Sequence, residues 1–249
     1  MLNLSELTDK VRALAIEAGD FIREERKKFH REAIEKKHAH DYVSYVDKES
    51  EKKIVTRLKE LLPEAGFIAE EGSGTLNDEQ YCWLVDPLDG TTNFIHDNAP
   101  YCVSIALRSK KELLLGVVYE ICRNECFWTY KGAPSYLNGN EIHVSAISNL
   151  DDSFIALGFP YATEEYKPMA NHLVNTLYGN VAGVRLMGAA AVELCYIAAG
   201  RFEARIEAFI GPWDIAAGTI ILQNAGGMIT DFKGCLLYTS PSPRDYAAS

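Results

Sequence analysis

The chain has 249 residues, enough for one large domain or two small ones with an ample core. Its formal net charge of −10, from 25 basic and 35 acidic residues, argues against non-specific binding to DNA, RNA or an anionic membrane. With 47% hydrophobic and 24% charged residues it has the composition of an ordinary soluble globular protein, and no apolar run approaches the ~20 residues needed to span a bilayer.

Residues 1–10 lack the basic and apolar segments of a signal peptide. Six cysteines (Cys82, Cys102, Cys122, Cys126, Cys195 and Cys235) lie in apolar stretches and form no CxxC pair. They read as buried or semi-buried free thiols, which sets the expectation of a reducing cytoplasm. The histidines are scattered without metal-ligand spacing, and no GxSxG elbow or P-loop is present.

In chain order, residues 4–29 predict a long amphipathic helix with Leu7, Val11, Leu14, Ala18, Phe21 and Ile22 on one face. Residues 47–62 predict a second, with Pro63 closing it. Residues 67–71 form a short strand ending in two acids, and 82–85 a strand ending in one. Strands at 102–107, 113–121 and 125–130, with turns at Arg123-Asn124 and Asn138-Gly139, predict an antiparallel meander. Beyond residue 150 the texture alternates: strand 154–159, helix 166–177, small-residue helix 188–199, strand 200–206, helix 213–225 and a final strand 228–232. This suggests a second α/β layer, and the lack of a Ser/Pro linker predicts one tight interface between the two parts. The expected division is 1–150, an α+β part with the meander, and 151–234, an α/β part. Residues 235–249 show no recognisable continuation and read as a non-native or disordered tail.

The most informative segment is Trp83-Leu84-Val85-Asp86-Pro87-Leu88-Asp89-Gly90-Thr91-Thr92-Asn93-Phe94. Two carboxylates three residues apart end an apolar strand, and a glycine turn follows. Hard cations such as Mg²⁺ want oxygen ligands. Backbone N–H groups at a glycine turn that opens a helix cradle phosphate. The segment therefore reads as a metal-plus-phosphate site. Asp-Pro-x-Asp-Gly alone is also an ordinary turn. Pro212-Trp213-Asp214 reads as a helix start, where a missing N–H costs nothing. Asp47 reads either as a functional acid or as the N-cap of its helix.

The twelve-residue segment, together with Ile68-Ala69-Glu70-Glu71-Gly72 and Gly211-Pro212-Trp213-Asp214, resembles the inositol monophosphatase family of Mg²⁺-dependent sugar phosphatases. The resemblance runs from residue 1 to about 234. It implies a mixed α/β fold, the layered αβαβα sandwich of the sugar phosphatases. It implies one Mg²⁺ held by Glu70, Asp86 and the Leu88 carbonyl, a second by Asp86, Asp89 and Asp214, and a weaker third reached through water from Glu70. Close acids repel one another without metal, so the metal-free site is expected to be loose. The resemblance makes Glu70, Thr91 and Asp47 catalytic, and it places Asp89, Gly90, Thr91, Ala190, Glu207 and Asp214 at the substrate. Lys36 falls where the family has a lysine in a mobile active-site loop. The implied reaction is direct in-line attack by metal-activated water on a phosphate monoester, inositol 1-phosphate first. Other esters left open are 3′-phosphoadenosine 5′-phosphate, fructose bisphosphate and histidinol phosphate. Partners are then a small-molecule phosphate ester and a second copy in a homodimer, with no membrane and no direct nucleic-acid binding. Some bacterial members also partner the transcription machinery, which leaves a protein-binding role as the alternative of another class.

Overall fold

The computed structural model describes residues 2–30, 34–38, 41–74, 79–160 and 163–235. The tail reading at 236–249 and His40 lie outside the described residues, as do the side chains of β1, Lys36 among them. Helix α1 (Leu4–Arg26) buries Leu7, Val11, Leu14, Ala15, Ala18 and Ile22 at helical spacing. Hairpin strands β1 (Ile34–His38) and β2 (Asp41–Ser44) lead into α2 (Tyr45–Leu61). The periodicity of the sequence did not predict this hairpin.

A seven-stranded sheet forms the centre, in the order β3 (Gly66–Ala69), β4 (Tyr81–Asp89), β5 (Cys102–Ser109), β6 (Leu113–Glu120), β7 (Glu125–Tyr130), β8 (Tyr136–Leu137) and β9 (Asn140–Glu141). Strand β3 is parallel to β4, and every other neighbouring pair is antiparallel, as a meander requires. Both faces of the sheet are apolar. Trp83, Val85, Val103, Ile105, Leu115 and Val117 pack against α1 and α2. Leu84, Cys102, Ala106, Val118 and Phe127 face the other way, against α5 (Ala190–Ala198) and α6 (Pro212–Asn224). Gly116 is required there, since a Cβ would lie 2.6 Å from Ile220 and 2.7 Å from the Ala217 carbonyl.

A three-stranded parallel sheet, β11 (Gly183–Arg185), β10 (Phe154–Leu157) and β12 (Ala204–Ile206), covers the far side of α5. Helix α4 (Thr163–Leu177) closes it through Leu173 and Leu177 on Ile155 and Leu157. The layers run helix, sheet, helix, sheet, helix, which is the predicted αβαβα sandwich. The expected strand at 228–232 does not form: only Thr230 makes a bridge, and Met228 and Phe232 are exposed. With those two side chains exposed, the segment has little apolar surface to pack, and the single bridge is not extended into a strand. The thiols also depart in part from expectation, because Cys122 and Cys235 are exposed.

Candidate active site

The site is built around an irregularity in β4. Asp86 is opposite Ser104 on β5, and Asp89 is opposite Cys102, so three steps on one strand match two on the other. This is a bulge at Pro87-Leu88, where a residue without an N–H is tolerated. In a regular strand residues 86 and 89 would point to opposite faces. The extra residue turns Leu88 into the α1–α2 core, and Asp89 joins Asp86 on the face toward α5 and α6. Both carboxylates are buried.

Two helix N-termini converge on this face. The Ala190 and Ala191 N–H groups at the start of α5 donate to Asp89 Oδ1 and Oδ2, at 3.1 and 2.7 Å. Asp214, in the first turn of α6, accepts the Gly211 N–H at 2.7 Å, with Pro212 at the helix start. Anionic groups at helix N-termini are favoured by the orphan amides and the helix dipole. Glu70 follows β3, its N–H extending the ladder to the Val85 carbonyl at 3.2 Å, beside Asp86. Asp86 Oδ1 accepts the Leu88 N–H at 3.0 Å.

These acids repel and desolvate one another. Burial, then the charges of Glu70, Asp89 and Asp214, push the Asp86 carboxyl well above the usual range. Burial raises Asp89 to about 7 against the opposing Ala191 amide. Burial, then Glu70 and Asp89, raise Asp214 to about 8. Hydrogen bonds link Asp86 with Glu70 and with Asp214. Among the described residues no three His, Cys, Asp or Glu side chains stand in finished metal-ligand geometry. The oxygens are instead spent on backbone amides and on one another.

Asp47 lies at the edge of this cluster, 1% exposed. The N-cap of α2 is Ser44, not Asp47: the Ser44 N–H and hydroxyl donate to Asp47 Oδ2 at 2.8 and 2.7 Å, and the two residues form a capping box. The other Asp47 oxygen accepts from the Thr91 hydroxyl at 2.8 Å, which also lies 3.0 Å from the Leu88 carbonyl. Burial raises the Asp47 carboxyl, opposed by these bonds from Ser44 and Thr91. Thr91 opens the short helix α3 (Thr91–Ile95) directly after Gly90. Gly90 has φ +89°, and a Cβ would sit 2.9 Å from the Pro100 carbonyl and 3.2 Å from Ala189 Cβ. Only glycine fits this crossing of chain segments.

Glu70, Asp86, Leu88, Asp89, Gly90, Thr91, Asp47, Ala190 and Asp214 thus meet in one place. Glu207 stands on the neighbouring β12 side, paired with Arg205. The Ala190 backbone, more than its side chain, takes part, through Asp89. The sequence reading passed over Glu51, a buried carboxylate of α2 that accepts the Glu71 and Ser73 N–H groups at 2.6 and 2.9 Å and so holds the segment after Glu70. It also passed over Asn93, whose amide donates to the Pro100 and Met187 carbonyls at 2.8 and 2.7 Å. Neither has a local signal, since each partner is distant in sequence. The Ser44-x-x-Asp47 box was readable from its spacing. His30, His96, His143 and His172 are exposed.

A layered α/β protein with an acid cluster at a strand bulge beneath two helix N-termini is the class that fold and site define. The family model described as "Inositol monophosphatase family" matches residues 3–249, and the chain belongs to that family, whose members are metal-dependent phosphatases. The chain is 39% identical over 207 residues to Nus factor SuhB of Pseudomonas aeruginosa, covering 81% of this chain and 76% of the relative. It is 36% identical over 236 residues to Nus factor SuhB of Vibrio cholerae, covering 94% and 86%. Among solved structures, the extragenic suppressor protein SuhB of Bartonella henselae superposes with a TM-score of 0.84 at 34% identity, covering 90% of this chain and 86% of that one. An IMPase of Thermotoga maritima gives 0.84 at 30% identity, covering 92% and 87%.

Proposed function

We propose that this chain hydrolyses small phosphate monoesters, with inositol 1-phosphate plus water giving inositol plus phosphate. The observation that carries the reading is the convergence of Asp86, Asp89 and Asp214 beside Glu70, with burial raising all three aspartates and neighbouring acids adding to it at Asp86 and Asp214. Such a donor set, all hard oxygens with excess negative charge, fits Mg²⁺. Glu70, Asp86 and the Leu88 carbonyl would hold one ion, and Asp86, Asp89 and Asp214 a second. Bound there, Mg²⁺ supplies Lewis-acid polarisation of the phosphoryl oxygens and a water of lowered pKa. The chain's own part is positioning and proton handling. Thr91 Oγ1, fixed by Asp47 at 2.8 Å, and the Glu70 carboxylate orient the attacking water. Its proton goes to Glu70 or, through the Thr91 hydroxyl as that group gives its own proton to Asp47, to the Asp47 carboxylate. The Gly90 and Thr91 amides, at the start of α3, point fixed dipoles at the phosphoryl group. Ala190, Asp214 and Glu207 border the leaving polyol. Residues 1–150 then supply most of the acids, and 151–234 complete the site.

The free thiols support a cytoplasmic location, and the family resemblance supports a homodimer. No helix among the described residues is long and apolar enough to cross a membrane. The test is phosphate release from inositol 1-phosphate at about pH 8, with Mg²⁺ and then with EDTA. Metal-dependent release is expected, and none from folded protein on any small ester would overturn the reading. A second reading, favoured by relatives named Nus factors, is a protein-binding role on the same fold. Co-purification with RNA polymerase that survives Asp86→Asn would support it.

A further inference from the structure

At the end of the central sheet away from the acids lies a groove of about 640 Å³. Strand β4 starts beside it at Tyr81 and ends at Asp89, about 26 Å away along the strand, so the groove is separate from the candidate active site. Its floor is apolar. Leu2 and Leu4 reach it from the N-terminal end of α1, Tyr81 from β4 and Leu114 from β6, and all four pack on the core beneath. Its rim is basic. The β5–β6 turn closes through the Ser109 N–H on the Glu112 carbonyl at 2.9 Å, and the Ser109 hydroxyl accepts the Lys111 and Glu112 N–H groups at 3.3 and 3.2 Å. Lys110 and Lys111 therefore stand on a fixed tip beside the groove. Lys131, just after β7, is held by its N–H on the Leu114 carbonyl at 2.8 Å and by its ammonium on Glu112 at 2.6 Å.

Three lysines against one glutamate give the rim a formal charge of +2, in a chain of net charge −10. Exposed lysines are ordinarily a solvated face, but here they line the same concavity as a leucine floor. A concavity of this size, apolar with a few charged groups to one side, has the form of a small-molecule site. The floor gains from contact with hydrocarbon. An ammonium group is a donor only, so it takes an anionic head, and the lysine stems can lie along the apolar body of the same molecule. The volume suits a free small molecule, and the chain's overall negative charge opposes an anionic bilayer.

We propose that this groove binds a small organic anion with an apolar body, a carboxylate, sulfonate or phosphate carried on a hydrocarbon or aromatic part, at a site separate from the acid cluster. The proposal is independent of the phosphatase reading. The test titrates the full chain in EDTA with the fluorescent dye 8-anilinonaphthalene-1-sulfonate, then displaces the dye with monomeric dodecanoate, octanoate, acetate or sulfate. Dye binding and its displacement by dodecanoate are expected. Octanoate should need more than about tenfold higher concentration, since each buried methylene is worth about fourfold, and acetate and sulfate should not compete. Lys111→Glu and Lys131→Glu, at exposed positions, should weaken dodecanoate about 3- to 10-fold each, an exposed attraction exchanged for a repulsion. Their melting temperatures should stay within about 2 °C of wild type. Dodecanoate affinity unchanged in both folded variants would overturn the proposal. So would no dye binding, or competition by acetate or sulfate as strong as by dodecanoate, and this ligand series on wild type carries the test should the variants not fold. Displacement by a polyglutamate peptide and not by dodecanoate would assign the groove to an acidic protein segment. Dye binding that grows as the chain is diluted would mean that a second copy covers the groove. Either result would overturn the proposal.

Discussion

Replacing Asp86 by Asn keeps the size of the side chain and its acceptor for the Leu88 N–H, and removes one of four crowded charges. In the metal-free protein, burial and then the charges of Glu70 and Asp89 carry Asp214 from 3.8 to about 8, and burial carries Asp89 to about 7. Ionising a carboxyl displaced from 3.8 to about 7 costs the folded state on the order of 4 kcal/mol. Between about pH 4 and pH 8 the folded chain holds protons that the unfolded chain has released. Metal-free stability therefore falls as pH rises through this window. The Asp86→Asn change removes the Asp86 carboxyl itself, whose ionisation in the fold is opposed by burial and by the charges of Glu70, Asp89 and Asp214. Burial, Glu70 and Asp89 still act on Asp214, which loses at most its opposing hydrogen bond with Asp86. The gain is then a fraction of that cost, about 1–2 kcal/mol at pH 8, or roughly 2–8 °C in Tm for a chain of this size. It should vanish below about pH 3, where the carboxyls are protonated in both states. Phosphate release should fall at least ~10³-fold, the scale of losing one strong electrostatic stabiliser. The assay is thermal melting in EDTA at both pH values, repeated with Mg²⁺, beside phosphate release. A variant that melts below wild type at pH 8 in EDTA, or that turns over at near wild-type rate, would refute the reasoning.

Glu51→Ala should free the Glu71 and Ser73 amides, seen as faster hydrogen exchange at those two positions, with kcat reduced about tenfold and stability by about 1–2 kcal/mol. Unchanged exchange there would show that Glu51 does not hold the segment after Glu70. Asn93→Ala removes the donors to Pro100 and Met187 and should lower the urea-derived stability by about 1–3 kcal/mol. Gly90→Ala meets both a left-handed backbone and the Pro100 carbonyl at 2.9 Å, so a loss of about 2–4 kcal/mol is expected in the same measurement. A urea midpoint equal to wild type would contradict the tight crossing at that residue.

Much of this molecule is legible in local sequence. Helical spacing in α1 and α2, the alternating strands of the meander, Pro212 at the start of α6 and the Asn138-Gly139 turn each follow from the preferences of a few adjacent residues. Met228 to Phe232 misled, because an apolar run predicts a strand only where its side chains find a face to pack on, and Met228 and Phe232 are exposed. The acids themselves were visible as Asp86-Pro87-Leu88-Asp89 and Trp213-Asp214, and belonging to the family follows from the same stretches. Their geometry and ionisation were not. The bulge that turns Asp86 and Asp89 to one face depends on the register with β5. The ionisation of the cluster depends on Glu70 and Asp214 arriving from β3 and α6. The Glu193–Arg205–Glu207 triad joins α5 to β12 and has no local spacing that announces it. Sequence alone thus determined the elements and the kinds of side chain, because those rest on short-range propensity and periodicity. Only the tertiary structure decided which charges share one low-dielectric space, because that depends on register and packing between segments far apart in the chain.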